Sequence, residues 1–200
     1  MRIGVIGPAD GHLDVLREAA EFLLGDAGVD QAIYLGMDDA VDQVVQRWSA
    51  EVMGGDGEDA FLDRAAQLAL KGTAEDIDAL IDADDRRHRL GSLRRLPPPP
   101  ARAIEMVEDR IVVVVHDKGV LDEEDIANAH VIIYGKSAEP LLKRFGPRCF
   151  FTPGPLSDRK VGILEVERDG RTRIGLFEPN GNPVWRETLQ GRGAKIMVSK

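Results

Sequence analysis

The stretch RIVVVVHDKG, residues 110–119, narrows the choice of fold more than any other. An isoleucine and four valines follow one another without a polar break, and His116 closes the run. A β-branched run of this kind makes a strand, and the absence of polar alternation means that both faces of the strand are covered. Such a strand lies inside a sheet with a further layer on each side. RIGVI (2–6), QAIYLG (31–36) and HVIIYG (130–135) are shorter runs of the same type. Helix signals separate them. Leu13, Leu16, Ala20 and Leu23 recur at helical spacing over 12–24, 38–50 carries a second helical pattern, and 122–129 begins with acids that suit a helix N-terminus. This alternation predicts a parallel sheet with helices packed on it. Functional groups in such sheets gather beyond the carboxyl ends of the strands, which are here the loops 7–12 and 36–39.

The middle of the chain reads differently. GGDGED (54–59) is a turn, and Phe61, Ala65, Leu68 and Ala69 form one helical stripe. Thr73 and Asp76 have capping-box spacing ahead of Ile77, Leu80 and Ile81 on a second helix. LPPPP (96–100) stops any helix and stiffens the return to the core. Residues 55–100 are therefore expected to form a helical and polyproline insert within one domain spanning 1–200. The C-terminal third reads as short antiparallel strands: CFFTPG (149–154), VGILEVERDGRTRIGLFE (161–178) and PVWRETL (183–189), with Asp169-Gly170 as a hairpin turn.

Composition removes several classes of function. The single Cys149 excludes an internal disulfide framework and a cysteine metal cluster, and it is expected to be a small buried residue. No apolar stretch is long enough to span a bilayer, and the N-terminus lacks a signal-peptide layout, so a cytoplasmic protein with no membrane insertion is expected. The net charge of −9 argues against nucleic acid as a partner. Charge is also unevenly spread. Residues 51–85 hold eleven acids against Arg64 and Lys71, whereas RRHRLGSLRR (86–95) carries five arginines. The sequence has no G-x-G-x-x-G and no P-loop, and Ser137 and Ser157 lack a recognisable His–acid arrangement.

The order of strands and turns resembles the calcineurin-like metallophosphoesterases, in the small branch that holds the YfcE-type bacterial phosphodiesterases and the Vps29 subunit of retromer. IGVIGPADGHL follows the family's first strand and D-x-H-G-N turn, IYLGMDDAV the second strand and G-D-x-x-D, and VVVVHDKG the strand ending in His. VIIYGKSAEP follows the G-H-x-H strand, and FFTPGPLSDRKVGILEV the N-P-G-S turn and hairpin. The resemblance covers most of the chain, with 55–100 as the poor match. It implies an α/β fold: a two-sheet β sandwich flanked by helices, with two metal ions at the strand ends in active members.

On the matched positions this chain departs from the family. The first Asp of the motif falls on Pro8, the following His on Asp10, and the Asp that bridges the metals on Met37. The family Asn of the G-N-H-D turn falls on Gly55, and the two histidines of G-H-x-H fall on Lys136 and Ala138. Only His116 stands where the family has a ligand. Proline and alanine offer no donor atom, a thioether is too soft to bridge two hard dications, and a lysine brings a positive charge to a cation's place. The expectation is a vestigial site with no cofactor, no catalytic residues and no metal. The best remaining metal set is Asp10, Asp38 and His116, with His12, Asp39 and Asp56 nearby in sequence. The competing reading is that Asp10 caps the helix 12–24, that Asp38 or Asp39 caps the next, and that Lys136 pairs with one of these carboxylates. His116 itself also reads as a semi-buried residue.

The function expected on these grounds is that of a catalytically inactive interaction scaffold. Its partner is another protein or a second copy of the chain, docked on the acidic stretch 56–85, the arginines Arg86, Arg87, Arg89, Arg94 and Arg95, and the prolines 97–100. Two other readings compete with it. One is a phosphodiesterase or phosphatase with a non-standard metal site. The other is a sensor that binds a phosphorylated small ligand in the old cleft through Lys136 and Arg159.

Overall fold

The computed structural model describes residues 1–53, 58–167 and 171–189. Gly55 and Asp56, and the expected turn at Asp169-Gly170, lie outside them. The chain begins with β1 (Arg2–Ile6), crosses over through α1 (Leu13–Leu24), and returns as β2 (Gln31–Tyr34), parallel to β1. After α2 (Ala40–Met53), α3 (Glu58–Lys71) and α4 (Ala74–Leu90), β3 (Leu93–Arg95) lies parallel beside β2. A second sheet follows. β4 (Ala103–Val107) and β5 (Arg110–Val115) pair antiparallel, and α5 (Glu123–Asn128) leads to β6 (Val131–Tyr134), parallel to β5. The hairpin of β7 (Leu141–Phe145) and β8 (Arg148–Thr152) adds β8 parallel to β6. The chain then rejoins the first sheet through β9 (Val161–Val166), β10 (Thr172–Phe177) and β11 (Pro183–Leu189), with β9 antiparallel to β1. The sheet orders are β11-β10-β9-β1-β2-β3 and β4-β5-β6-β8-β7.

Strand alternation explains why the central runs carry no polar residues. Ile3 and Val5 pack between the sheets with Ile33, Leu35, Val112, Val114, Ile133 and Phe151. Their neighbours face the other way. Ile6 joins Leu16, Leu23, Val41, Val44 and Trp48 under α1 and α2. Val113 and Val115 join Ile132 and Tyr134 on the outer face of the second sheet. A valine or isoleucine buried in this way contributes roughly 1.5–3 kcal/mol. Gly4 lets α1 approach closely: a Cβ there would lie 3.0 Å from Leu23 Cδ1. The expected capping box is present, with Asp76 N donating to Thr73 Oγ1 at 3.2 Å and Thr73 N donating to Asp76 Oδ2 at 2.9 Å.

Three strands were not legible in the sequence: β3, β4 and β7. All lie at sheet edges, where one side of the strand is open and charged or polar residues are tolerated. β3 matters most, because it belongs to the six-stranded sheet although it falls within the stretch 55–100. Arg94 and Arg95 are therefore sheet residues. Arg94 donates to Gln31 Oε1 at 2.8 Å and Arg95 pairs with Asp42. Among the described residues, no helix is long and apolar enough to cross a membrane.

Candidate functional site

The carboxyl ends of β1, β5 and β6 open into a shallow groove of about 470 Å³, lined by Pro8, Asp10, His116, Lys136, Ser137 and Ala138 with Gly135 and Pro155. Five of the positions singled out in the sequence thus share one surface. Backbone contacts that leave no room for side chains hold its loops together. A Cβ on Gly7 would lie 1.8 Å from the carbonyl oxygen of Gly154, and one on Gly135 would lie 2.4 Å from that of Leu35. Gly135 N donates to Val115 O at 3.1 Å and to His116 O at 3.0 Å, Lys136 N donates to His116 O at 2.7 Å, and Leu156 N donates to Pro8 O at 2.9 Å.

Each side chain has a definite role. His116 donates from Nδ1 to Leu35 O at 2.8 Å. A carbonyl oxygen only accepts, so that bond assigns a proton to Nδ1. Lys136 Nζ reaches Asp117 Oδ2 at 2.6 Å, and this ammonium holds the Asp117 carboxyl below the usual carboxylate range. Asp117 also accepts from Gly119 N at 2.8 Å, capping the short turn 118–120. Lys136 thus pairs with Asp117 and not with Asp10, Asp38 or Asp39, since Lys136 and Asp117 follow the parallel neighbouring strands β6 and β5. The pair is largely exposed, so Lys136→Ala is expected to lower stability by less than about 1 kcal/mol in urea unfolding, with the strand-end loops intact.

Asp10 does not cap α1. It adopts a left-handed backbone with φ 47°, and His12 occupies the N-cap position without a side-chain hydrogen bond. Asp38 does serve α2, since its Oδ1 accepts from Ala40 N at 3.2 Å, and Gln43 Nε2 donates to Asp39 Oδ1 at 2.9 Å. Asp38 Oδ1 also accepts from the Tyr34 hydroxyl at 2.7 Å, and that hydroxyl accepts from Ala9 N at 2.8 Å. Tyr34 is fully buried and ties the two loops together. Sequence reasoning missed this role because a tyrosine in an apolar strand reads as core bulk. Met37 is exposed and does not line the groove. Among the described residues no three His, Cys, Asp or Glu side chains come together in a way that could hold a metal ion. Asp10, Asp38 and His116 are therefore not gathered.

The arginines divide into two groups. Arg94 and Arg95 are tied to the sheet as above, and Arg87 lies 3.9 Å from Asp84. Arg86 donates Nε to Asp82 O at 3.1 Å, while Arg86 and Arg89 both line a second cavity between the helices. Arg159, at φ 52°, pairs with Glu18 at 2.6 Å and does not line the strand-end groove.

No family model and no curated protein matches the chain. Solved structures do. A novel archaeal phosphodiesterase is 19% identical with a TM-score of 0.51, over 88% of this chain and 100% of its own. A predicted phosphoesterase from Streptococcus pneumoniae TIGR4 is 12% identical with a TM-score of 0.51, over 94% and 98%. Vacuolar protein sorting 29 from Cryptosporidium parvum is 9% identical with a TM-score of 0.52, over 95% and 98%. At these identities the likeness is one of fold.

Proposed function

We propose that this chain, which has the fold of the calcineurin-like phosphoesterases, is a catalytically inactive member of that fold and works as an interaction scaffold. The observation that carries this reading is the content of the strand-end groove. A two-metal hydrolase needs several oxygen and imidazole ligands around two cations, one of them shared. The groove instead holds Pro8, Ala138 and a lysine already paired with Asp117. The side chains present do not fit a pair of metal ions, and Asp38 is engaged with Tyr34 and α2.

The surface proposed for a protein partner or a second copy lies on the α3–α4 hairpin within the 55–100 insert. Leu70, Leu62 and Ile81 are 82%, 58% and 54% exposed, and they stand among acidic residues on helices that cover little of the core. Large apolar side chains left exposed on charged helices are the reason for placing the surface there. Deletion of the whole stretch would remove β3, so surface substitution is the cleaner test.

Protein dialysed against Mn²⁺ and then desalted is expected to retain far less than one ion per chain and to leave bis(p-nitrophenyl) phosphate intact. Hydrolysis that Asp10→Ala abolishes would sink the reading of inactivity. The variant Leu62→Lys/Leu70→Lys/Ile81→Lys is expected to keep the wild-type circular dichroism spectrum and to lose self-association or a captured protein partner. Binding unchanged in that variant would remove the hairpin from the proposal.

A further inference from the structure

The larger cavity, about 630 Å³, lies on the helical side of the six-stranded sheet and shares no residue with the strand-end groove. Its floor is satisfied. Arg17 extends over the ring of buried Trp48, 5.7 Å from its centroid, and pairs with Glu21 at 2.9 Å and Glu51 at 2.7 Å. Its rim is not. Arg64 from α3 and Arg86 and Arg89 from α4 all border the cavity, and none of the three forms an ion pair among the described residues. On a chain of net charge −9, three guanidinium groups thus border one cavity without closing an ion pair, although Glu21 and Glu51 line the same cavity and the charge of Arg64 acts on Asp76.

From this arrangement we infer that the cavity between α1, α2, α3 and α4 binds a small molecule bearing a di- or triphosphate. Guanidinium forks match phosphate oxygens in pairs, and three of them around one cavity suit an anion whose charge is spread over several phosphoryl oxygens. Leu24, Ala79 and Ala83 supply apolar wall for the rest of the ligand, and the volume falls in the range of small-molecule sites. A long polyanion is disfavoured. Asp63, Asp78, Asp82 and Asp85 are exposed on the same two helices, and their negative charge works against a nucleic-acid strand running beyond the cavity. Among the described residues, Arg64 is the single α3 residue in the lining, so a ligand held there would tie α3 to the other three helices. The inference does not depend on whether the strand-end groove is active. It also differs from a phosphate sensor in the old cleft, where Lys136 and Arg159 are already paired.

The test is isothermal titration calorimetry of the full chain in EDTA with three probes: inorganic pyrophosphate, ATP and a single-stranded oligonucleotide. Saturable one-to-one binding is expected for pyrophosphate, tighter binding for ATP, and none for the oligonucleotide. Arg86→Gln and Arg89→Gln should each weaken ATP binding about tenfold, the value of one charge-assisted hydrogen bond. Arg89→Lys, which keeps the charge and loses the fork, should fall between wild type and Arg89→Gln. Lys136→Ala should change nothing. The Arg86 and Arg89 variants should match wild type in urea midpoint, since these side chains are exposed. The inference is overturned by absence of saturable binding at millimolar probe, by equal affinity in the Arg86 and Arg89 variants, by loss in Lys136→Ala, or by an oligonucleotide that binds more tightly than ATP.

Discussion

Gly7→Ala is expected to destabilise the protein by about 3 kcal/mol or more, well above the average cost of a point substitution. Gly7 follows β1, and a Cβ there would lie 1.8 Å from the carbonyl oxygen of Gly154 and 3.0 Å from its carbonyl carbon. The obstacle is backbone, so no rotamer change relieves it. Gly154 cannot recede either. At φ +77°, its own Cβ position is already 2.8 Å from Pro140 Cδ and from Pro140 N. The bond from Leu156 N to Pro8 O holds the same two loops together one step further along. Gly11→Ala is the internal control. Gly11 has φ +88° and open space around its Cβ position, so it should show only the left-handed backbone cost of about 1–2 kcal/mol. Urea unfolding of the two variants, compared at equal m-value, separates the effects. If Gly7→Ala costs no more than Gly11→Ala, the β1 loop and the loop after β8 do not interlock in this way.

That contact shows what a sequence can and cannot display. The buried strands were legible because coverage on both faces leaves an unbroken apolar run, as in Val112 to Val115. The edge strands β3, β4 and β7 were not, because an open edge tolerates Arg94, Glu105 or Lys143 and blurs the pattern. The strand-end loops could be located from the alternation of strand and helix, and Pro8, Asp10, His116, Lys136 and Ala138 do share one groove. Partners within it could not. Lys136 bonds Asp117 across nineteen positions, and His116 bonds Leu35 across 81. The first pairing is set by which strands become neighbours in one sheet and the second by how two sheets stack, and no local spacing records either. Asp10 shows the same limit at short range. An acid before a helix reads as a cap, but here the turn places it at positive φ and moves the N-cap position to His12.

Alkaline titration is expected to remove about 3 kcal/mol of stability between pH 9 and pH 11 through Cys149 alone. The thiol lies between the sheets, and burial pushes its pKa from the ordinary 9.0 up to about 11. Each unit of difference between the folded and unfolded chain is worth about 1.4 kcal/mol. The sign follows from which state holds the proton. Below pH 9 both states are protonated and the contribution is fully present. Above it the unfolded chain ionises first, so stability falls as pH rises toward the folded value. Tyr34 acts in the same direction at higher pH. Burial raises its phenol above the ordinary 10.0, the charges of Asp38 and Asp10 raise it further, and the bond from Ala9 N opposes them. Unfolding curves at pH 8, 9, 10 and 11 should therefore steepen in two stages, with Cys149→Ala flattening the first and Tyr34→Phe the second. At neutral pH, Tyr34→Phe should itself cost about 1–3 kcal/mol, because Ala9 N loses its acceptor in a buried setting. Parallel pH profiles for wild type and Cys149→Ala would show that the buried thiol does not set the first stage, and the space between the sheets would then have to admit water or hydroxide well below pH 11.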